Sequence, residues 1–385
     1  MDALLSYAQK RQDSMLKMLH RFVEFESPST DKPALDRFGK LVGSTARRIN
    51  GRVRIYRSAQ TGNHLRAEFR LCPSPTAGQI LLLGHLDTVW ELGTIRRMPF
   101  RLESGRAFGP GVFDMKSGIV SGLYALRSLR ALRIPIRKQV VLLLTADEEI
   151  GSPSSRPIIE REALQSDCVL VLEPAHGLKG YLKTARKGVG EFEIRVKGKA
   201  AHAGLDPDRG ASAILELCRQ VLRVGQFADP RKGITTNAGL ISGGTRPNVV
   251  AAEAAAKVDV RIARIEDMRK MQQKFHSLKP YDHRTTLEIN GGFNRPPWGR
   301  SRLGEELYER ARRLAQTLGI NLSEVAVGGG SDGNFTAALG IPTLDGLGAV
   351  GEGAHALHEN IVVDEMPRRS ALLAHLIASL GDSEQ

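Results

Sequence analysis

Apolar residues recur along this chain in two rhythms. Between about residues 15 and 180, stretches with apolar positions three and four apart alternate with short runs that are apolar throughout. The spacing predicts helices over 15–25, 34–50, 115–132 and 154–164. It predicts strands over 52–56, 65–70, 79–84, 139–145 and 168–172. The runs Ile80-Leu81-Leu82-Leu83-Gly84 and Val140-Val141-Leu142-Leu143-Leu144 have no polar face, as strands buried on both sides of a parallel sheet require. Ahead of them, residues 1–30 mix charged and apolar positions, an opening amphipathic helix without the apolar centre of a secretory signal.

After about residue 184 the pattern changes to strict alternation. Glu191-Phe192-Glu193-Ile194-Arg195-Val196-Lys197 reads as a strand with one wet face. A helix over 210–226, strands over 234–242 and through 257–261, a helix over 267–278 and a strand over 285–289 follow. That order, β-α-β-β-α-β, is a ferredoxin-like unit. From residue 300 the first rhythm resumes with a helix over 303–318, a glycine-rich turn and a strand over 342–347. The expected fold is α/β: a mostly parallel, helix-covered sheet from residues 1–186 and 298–385, with an α+β domain over 187–297 inserted into it.

Composition narrows the function. A length of 385 residues suggests two domains, and 41% hydrophobic with 25% charged residues is ordinary for a globular protein. No stretch approaches the ~20 apolar residues needed to cross a bilayer, so no membrane partner and a cytoplasmic location are expected. Cys72, Cys168 and Cys218 are too scattered for a disulfide framework or a thiolate metal site. The net charge of +13 raises nucleic acid as a partner, but the pairs Arg47-Arg48, Arg96-Arg97, Arg312-Arg313 and Arg368-Arg369 are dispersed and only 5% of residues are aromatic. No nucleic-acid partner is expected; a positive field would instead steer an anionic substrate.

The candidate chemistry sits at the ends of the apolar runs. His85 and Asp87 follow one run, and Glu148 and Glu149 follow the other. Glu173 ends Val169-Leu170-Val171-Leu172-Glu173, Asp114 lies in the glycine-rich Gly109-Pro110-Gly111-Val112-Phe113-Asp114, and His355 lies near the C-terminus. Open α/β sheets bind ligands at that rim. Two imidazoles and three carboxylates suit a pair of Zn²⁺ ions, with Co²⁺ or Mn²⁺ as substitutes. Two such ions ~3.5–4 Å apart activate water and polarise a carbonyl. Glu148 is then positioned as general base and Asp87 as the carboxylate that orients His85. His358 is an alternative to His355.

The segments Gly84-His85-Leu86-Asp87-Thr88-Val89, Gly109-Pro110-Gly111 through Asp114-Met115-Lys116-Ser117-Gly118, and Thr145-Ala146-Asp147-Glu148-Glu149-Ile150-Gly151-Ser152 resemble the co-catalytic zinc exopeptidase and deacylase superfamily. Its members include glutamate carboxypeptidase, aminoacylase, acetylornithine deacetylase, succinyl-diaminopimelate desuccinylase and tripeptidase T. The resemblance implies one metal held by His85, Asp114 and Glu173, and a second held by Glu149, His355 and the shared Asp114. It implies a cis peptide after Asp114, and a role for the insert in dimerisation and as a lid. Ser117 stands where many relatives carry glycine.

Lys199-Ala200-Ala201-His202-Ala203-Gly204 resembles the loop whose histidine stabilises the oxyanion, in family dimers across the two-fold. Arg246-Pro247-Asn248, Asp259-Val260-Arg261 and Gly292-Phe293-Asn294-Arg295 resemble segments that bring Asn248, Arg261 and Arg295 to the substrate, the last as in the glutamate carboxypeptidase branch. Ser331, Asp332 and Asn334 are expected near the substrate too. His176, His283 and His375 have no such context and are expected at the surface. The expected activity is a homodimeric carboxypeptidase releasing a C-terminal, acidic residue from a short peptide or small molecule with a free carboxylate. An N-acyl-amino-acid deacylase is the alternative, and a non-catalytic binding protein on this scaffold is a third reading.

Overall fold

The computed structural model describes residues 2–73 and 78–381. The chain forms two compact units, the first from residues up to Thr184 with Arg300–Ala326 and Ser331 onward, the second from Ala185–Gly299 with Val327–Gly330.

The first unit opens with two helices rather than one, α1 (Ala3–Gln9) and α2 (Gln12–Glu24), separated at Lys10 and Arg11. The Asp2 carboxylate accepts from Leu5 N at 2.8 Å and caps α1. Helix α3 (Lys32–Arg48), strands β1 (Arg52–Tyr56), β2 (His64–Phe69) and β3 (Gln79–His85), helix α4 (Ser117–Ala131), strand β4 (Gln139–Thr145), helix α5 (Arg156–Leu164) and strand β5 (Cys168–Val171) follow. The second unit contributes β6 (Gly188–Lys197), α6 (Ala213–Gly225), β7 (Thr235–Gly243), β8 (Glu253–Ile262), α7 (Ile265–His276) and β9 (Thr286–Arg295). The first unit is completed by α8 (Arg302–Thr317), β10 (Thr343–Leu344) and α9 (Glu365–Gly381).

The large sheet has the order β1-β2-β4-β3-β5-β10. Strands β4, β3, β5 and β10 run parallel, while β1 and β2 are antiparallel at one edge. Because side chains alternate faces along a strand, the unbroken apolar runs divide between two cores. Leu81, Leu83, Val141, Leu143, Val169 and Val171 pack with Ile159 and Phe335 on one face. Ile80, Leu82, Val140, Leu142 and Leu170 join the larger core on the other. Truncating one of these leucines to alanine removes ~2–5 kcal/mol. Among the described residues no helix is long and apolar enough to cross a membrane.

The second unit is a four-stranded antiparallel sheet of order β7-β8-β6-β9, the ferredoxin-like arrangement its sequence rhythm predicts. Phe192, Ile194, Val196, Val258 and Val260 pack with Met271 and Phe275 of α7 and Leu217 of α6. Strand β9 runs to Arg295 rather than stopping near Ile289. Gly291 and Gly292 hide its continuation in the sequence, yet Gly291 is required: its φ is 93°, and a Cβ there would stand 2.2 Å from the Glu191 carbonyl oxygen.

Candidate metal centre

Strand register determines where the polar residues emerge. His85 at the end of β3 stands opposite Thr145 at the end of β4, so the two parallel strands leave the sheet at one rim. Glu148 and Glu149 form a single 3₁₀ turn just beyond β4. On the other side of β3, Leu172 N donates to Leu83 O at 2.8 Å and carries Glu173 to the same rim. Asp114 enters from the loop before α4, through a cis Asp114–Met115 peptide, as the resemblance implied. A Cβ at Gly118 would stand 2.1 Å from the Leu172 carbonyl oxygen, so glycine allows the first turn of α4 to lie against the segment that carries Glu173. The neighbouring Ser117 is fully buried there.

The side chains meet closely. His85 Nε2 lies 3.1 Å from Asp114 Oδ1 and 3.4 Å from Glu173 Oε1. His355 Nε2 lies 3.2 Å from Glu149 Oε2 and 3.7 Å from Asp114 Oδ2. Asp114 thus stands between both imidazoles. One ligand-type atom from each of His85, Asp114 and Glu149 falls within 4.8 Å of the others, and so do atoms of His85, Glu148 and Glu173. His355 adopts a left-handed backbone, φ 62°, uncommon for a residue with a Cβ.

The electrostatics suit a cation. Burial alone would lower the His85 imidazole, but Asp114, Asp87 and Glu173 hold it well above its ordinary value. The hydrogen bond with Glu149 raises His355 to about 9. Burial raises the Asp114 carboxyl, but its bond to His85 together with the charges of His85, His355 and Lys183 outweighs this and the net shift is downward. Burial raises Glu149, against the pull of His355. Both imidazoles thus favour carrying a proton where a divalent ion would bind, and metal binding to such a set displaces protons. The buried Oε1 of Glu149 has no hydrogen-bond partner among the described residues, leaving a lone pair for a metal. This donor set of imidazole nitrogen and carboxylate oxygen fits zinc-type ions.

Two further carboxylates brace the cluster. Asp87 meets the far nitrogen of His85 through both its carbonyl, at 2.9 Å, and its carboxylate Oδ1, at 3.5 Å. That carboxylate, fully buried, accepts from Glu148 N at 3.2 Å, Glu149 N at 3.1 Å and Ser29 Oγ at 2.7 Å. It caps the turn bearing both glutamates. Glu359 accepts from Gly111 N, Phe113 N and Asp114 N at 2.9–3.0 Å and from Trp90 Nε1 at 2.7 Å. It fixes the Asp114 loop.

Ser331, Asp332 and Asn334 are buried and engaged within the protein. Ser331 Oγ donates to Asp345 Oδ2 at 2.7 Å, Asn334 Oδ1 accepts from Ser331 N at 2.9 Å, and Asp332 accepts from Thr145 and Ser152. His176 and His283 are exposed, while His375 is half-buried and bonded to Asp2 at 2.8 Å.

The remaining expected residues belong to the second unit. His202 is exposed, and its Nδ1 accepts from Gly204 N and Leu205 N, both at 3.1 Å. Those bonds leave the ring proton on Nε2, pointing a donor outward. Asn248 lies alongside, its carbonyl accepting from Ala203 N at 2.9 Å. Arg261 is held by Asp259 on its own strand, with its Nη2 2.7 Å from Asp259 Oδ2. Arg295 is buried and reaches Asn294 Oδ1 at 3.3 Å.

Comparison with known proteins places this arrangement. Carboxypeptidase G2 of Pseudomonas sp. (strain RS-16) is 29% identical over 391 residues, which cover 99% of this chain and 92% of that protein. Aminopeptidase PepT from Bacillus cereus ATCC 10987 superposes with a TM-score of 0.77 at 22% identity, over 96% of this chain and 98% of its own. The YXEP protein of Bacillus subtilis, a dinuclear metal binding peptidase from the M20 family, gives a TM-score of 0.69 at 15% identity, covering 98% of this chain and 100% of that one. The sequence pattern of peptidase family M20/M25/M40 matches residues 81–379, a span that begins within β3 and ends within α9. With that match over most of its length, the chain belongs to peptidase family M20/M25/M40 and is a metal-dependent peptidase or amidohydrolase.

Proposed function

We propose that the protein is a carboxypeptidase that uses two divalent ions, zinc with cobalt or manganese as substitutes, to release a C-terminal acidic residue. The supporting observation is the position of Asp114, within 4 Å of both His85 and His355, with Glu173 beside the first imidazole and Glu149 beside the second. His85, Asp114 and Glu173 would hold one ion; Glu149, His355 and the same Asp114 would hold the other. Bound there, the ions would lower the pKa of water and polarise the scissile carbonyl.

The chain's own groups supply the remaining steps. Glu148 takes the proton of the attacking water and passes it to the leaving amine. Asp87 holds the turn that carries this base and the adjacent Glu149. His202 Nε2–H, with its tautomer fixed by two backbone amides, donates to the developing oxyanion. Asn248, Arg261 and Arg295 receive the substrate, and a guanidinium suits its carboxylate because it donates two parallel hydrogen bonds.

Likeness to carboxypeptidase G2 along nearly the whole chain favours release of a C-terminal residue over aminopeptidase action. An N-acyl-amino-acid deacylase uses the same chemistry on a shorter acyl group. The test is hydrolysis of N-acyl-glutamates and of glutamate-terminated dipeptides, with and without chelator, followed by re-addition of Zn²⁺, Co²⁺ or Mn²⁺. Equal rates with and without chelator would exclude metal catalysis. A preference set by the acyl side rather than the C-terminal residue would assign the deacylase. Strand β7, at the edge of its sheet with Leu240 and Ile241 exposed, supports a homodimer. Three cysteines that form no disulfide among the described residues suit the cytoplasm.

A further inference from the structure

Helices α2, α3 and α4 enclose a cleft of about 450 Å³ in the first unit, within the range of small-molecule sites. None of the metal-centre residues lines it. Its floor is apolar, with the buried Phe22 and Leu123 beside the half-buried Met18. Lys17 and Arg21 from α2, Arg48 from the end of α3 and Arg127 from α4 line it too, all four exposed. No aspartate or glutamate lines the cleft.

Some exposed arginines elsewhere are matched by a carboxylate, as in Arg195 with Glu193, Arg284 with Asp282 and Arg312 with Glu309. Among the described residues Lys17, Arg21, Arg48 and Arg127 form no ion pair; Arg127 instead lies over the Tyr124 ring, 5.4 Å from its centre. Arg21 and Arg48 lie in the last turns of their helices, where a cation complements the backbone dipole; Lys17 and Arg127 do not. Four cations around one opening repel each other, and an anion between them relieves that repulsion. A bare anion leaves the apolar floor in water, whereas an apolar tail laid over it buries that surface.

We propose that this cleft binds a small amphiphilic anion: one sulfate-, carboxylate- or phosphate-type head held by Lys17, Arg21, Arg48 and Arg127, on an apolar body laid over Met18, Phe22 and Leu123. The test uses metal-loaded, full-length protein and three matched probes in isothermal titration. Octyl sulfate, below its micellar range, carries head and tail; octan-1-ol carries the tail alone; inorganic sulfate carries the head alone. A sulfate head is a poor metal ligand, which separates this site from the metal centre. Octyl sulfate is expected to bind at one site, at least tenfold more tightly than either partial probe. Arg21→Glu with Arg48→Glu is expected to weaken it at least tenfold, and Met18→Gln at least threefold, with unchanged melting temperatures. Octanol or sulfate binding as tightly as octyl sulfate overturns the proposal. So does octyl sulfate binding that persists in the double variant, or no binding at all.

Discussion

Glu359 accepts a hydrogen bond from the backbone amide of Asp114 at 3.0 Å, although 245 residues separate them. The same carboxylate takes the amides of Gly111 and Phe113 and the indole of Trp90, so one buried side chain sets the path of the loop that delivers Asp114. Burial raises its pKa to about 7, against the pull of those four donors. Glu359→Ala should therefore weaken metal binding ~10–100-fold, the usual effect of removing a group that orients a ligand. Titration of the metal-free variant with Co²⁺ or Zn²⁺ measures it. Wild-type affinity in a folded variant would show that the loop holds its shape unaided.

Glu148 separates binding from chemistry. Glu148→Gln keeps the side chain's size but cannot accept a proton. Turnover of an N-acyl-glutamate should fall ~10²–10⁴-fold while metal content stays at the wild-type level. Loss of metal together with activity would reassign Glu148 from base to ligand.

Chelation should expose a dependence of stability on pH. In the metal-free protein the His355 imidazole has its pKa raised from 6.5 to about 9, chiefly by Glu149. A raised pKa gives stability that is complete below pH 6.5 and lost as pH rises through 9. The melting temperature of chelated protein should fall across that window, and fall less in His355→Asn. Equal slopes in the two proteins would mean that this imidazole does not contribute.

Two of the thiols should react very differently. Cys218 is exposed on α6, whereas Cys168 at the start of β5 is buried and its thiol is pushed up to about 12. An aromatic disulfide reagent at pH 8 should modify Cys218 quickly and leave Cys168 intact until denaturant is added. Rapid native labelling of Cys168, mapped by peptide mass, would show that the β5 end opens.

The centre of the sheet was readable in the sequence because β3 and β4 are buried on both faces, which removes every polar residue from 80–83 and 140–144. The site was readable where its residues are sequence neighbours, as in His85 with Asp87 or Glu148 with Glu149. Helix α9 escaped for the reason the strands did not. Leu372, Leu373, Ala374, Leu376 and Ile377 are all buried, so no polar stripe marks a helical period, and Pro367 sits in its first turn. Much of the bracing by Glu359 and Asp87 runs through backbone amides, which leave no trace in side-chain pattern. Ser331, Asp332 and Asn334 sit beside glycines, and the sequence alone does not show that they also bond Asp345, Thr145 and Ser152.

The division of labour between the two units has an evolutionary corollary. Every side chain assigned to the ions is encoded before Thr184 or after Ser331, while those assigned to the substrate fall between Ala185 and Gly299. Selection can thus rewrite the recognition cassette in one uninterrupted stretch of gene without touching the hydrolytic engine. Exchanging that cassette with a relative's should transfer preference for a new leaving residue while the reaction itself stays the same.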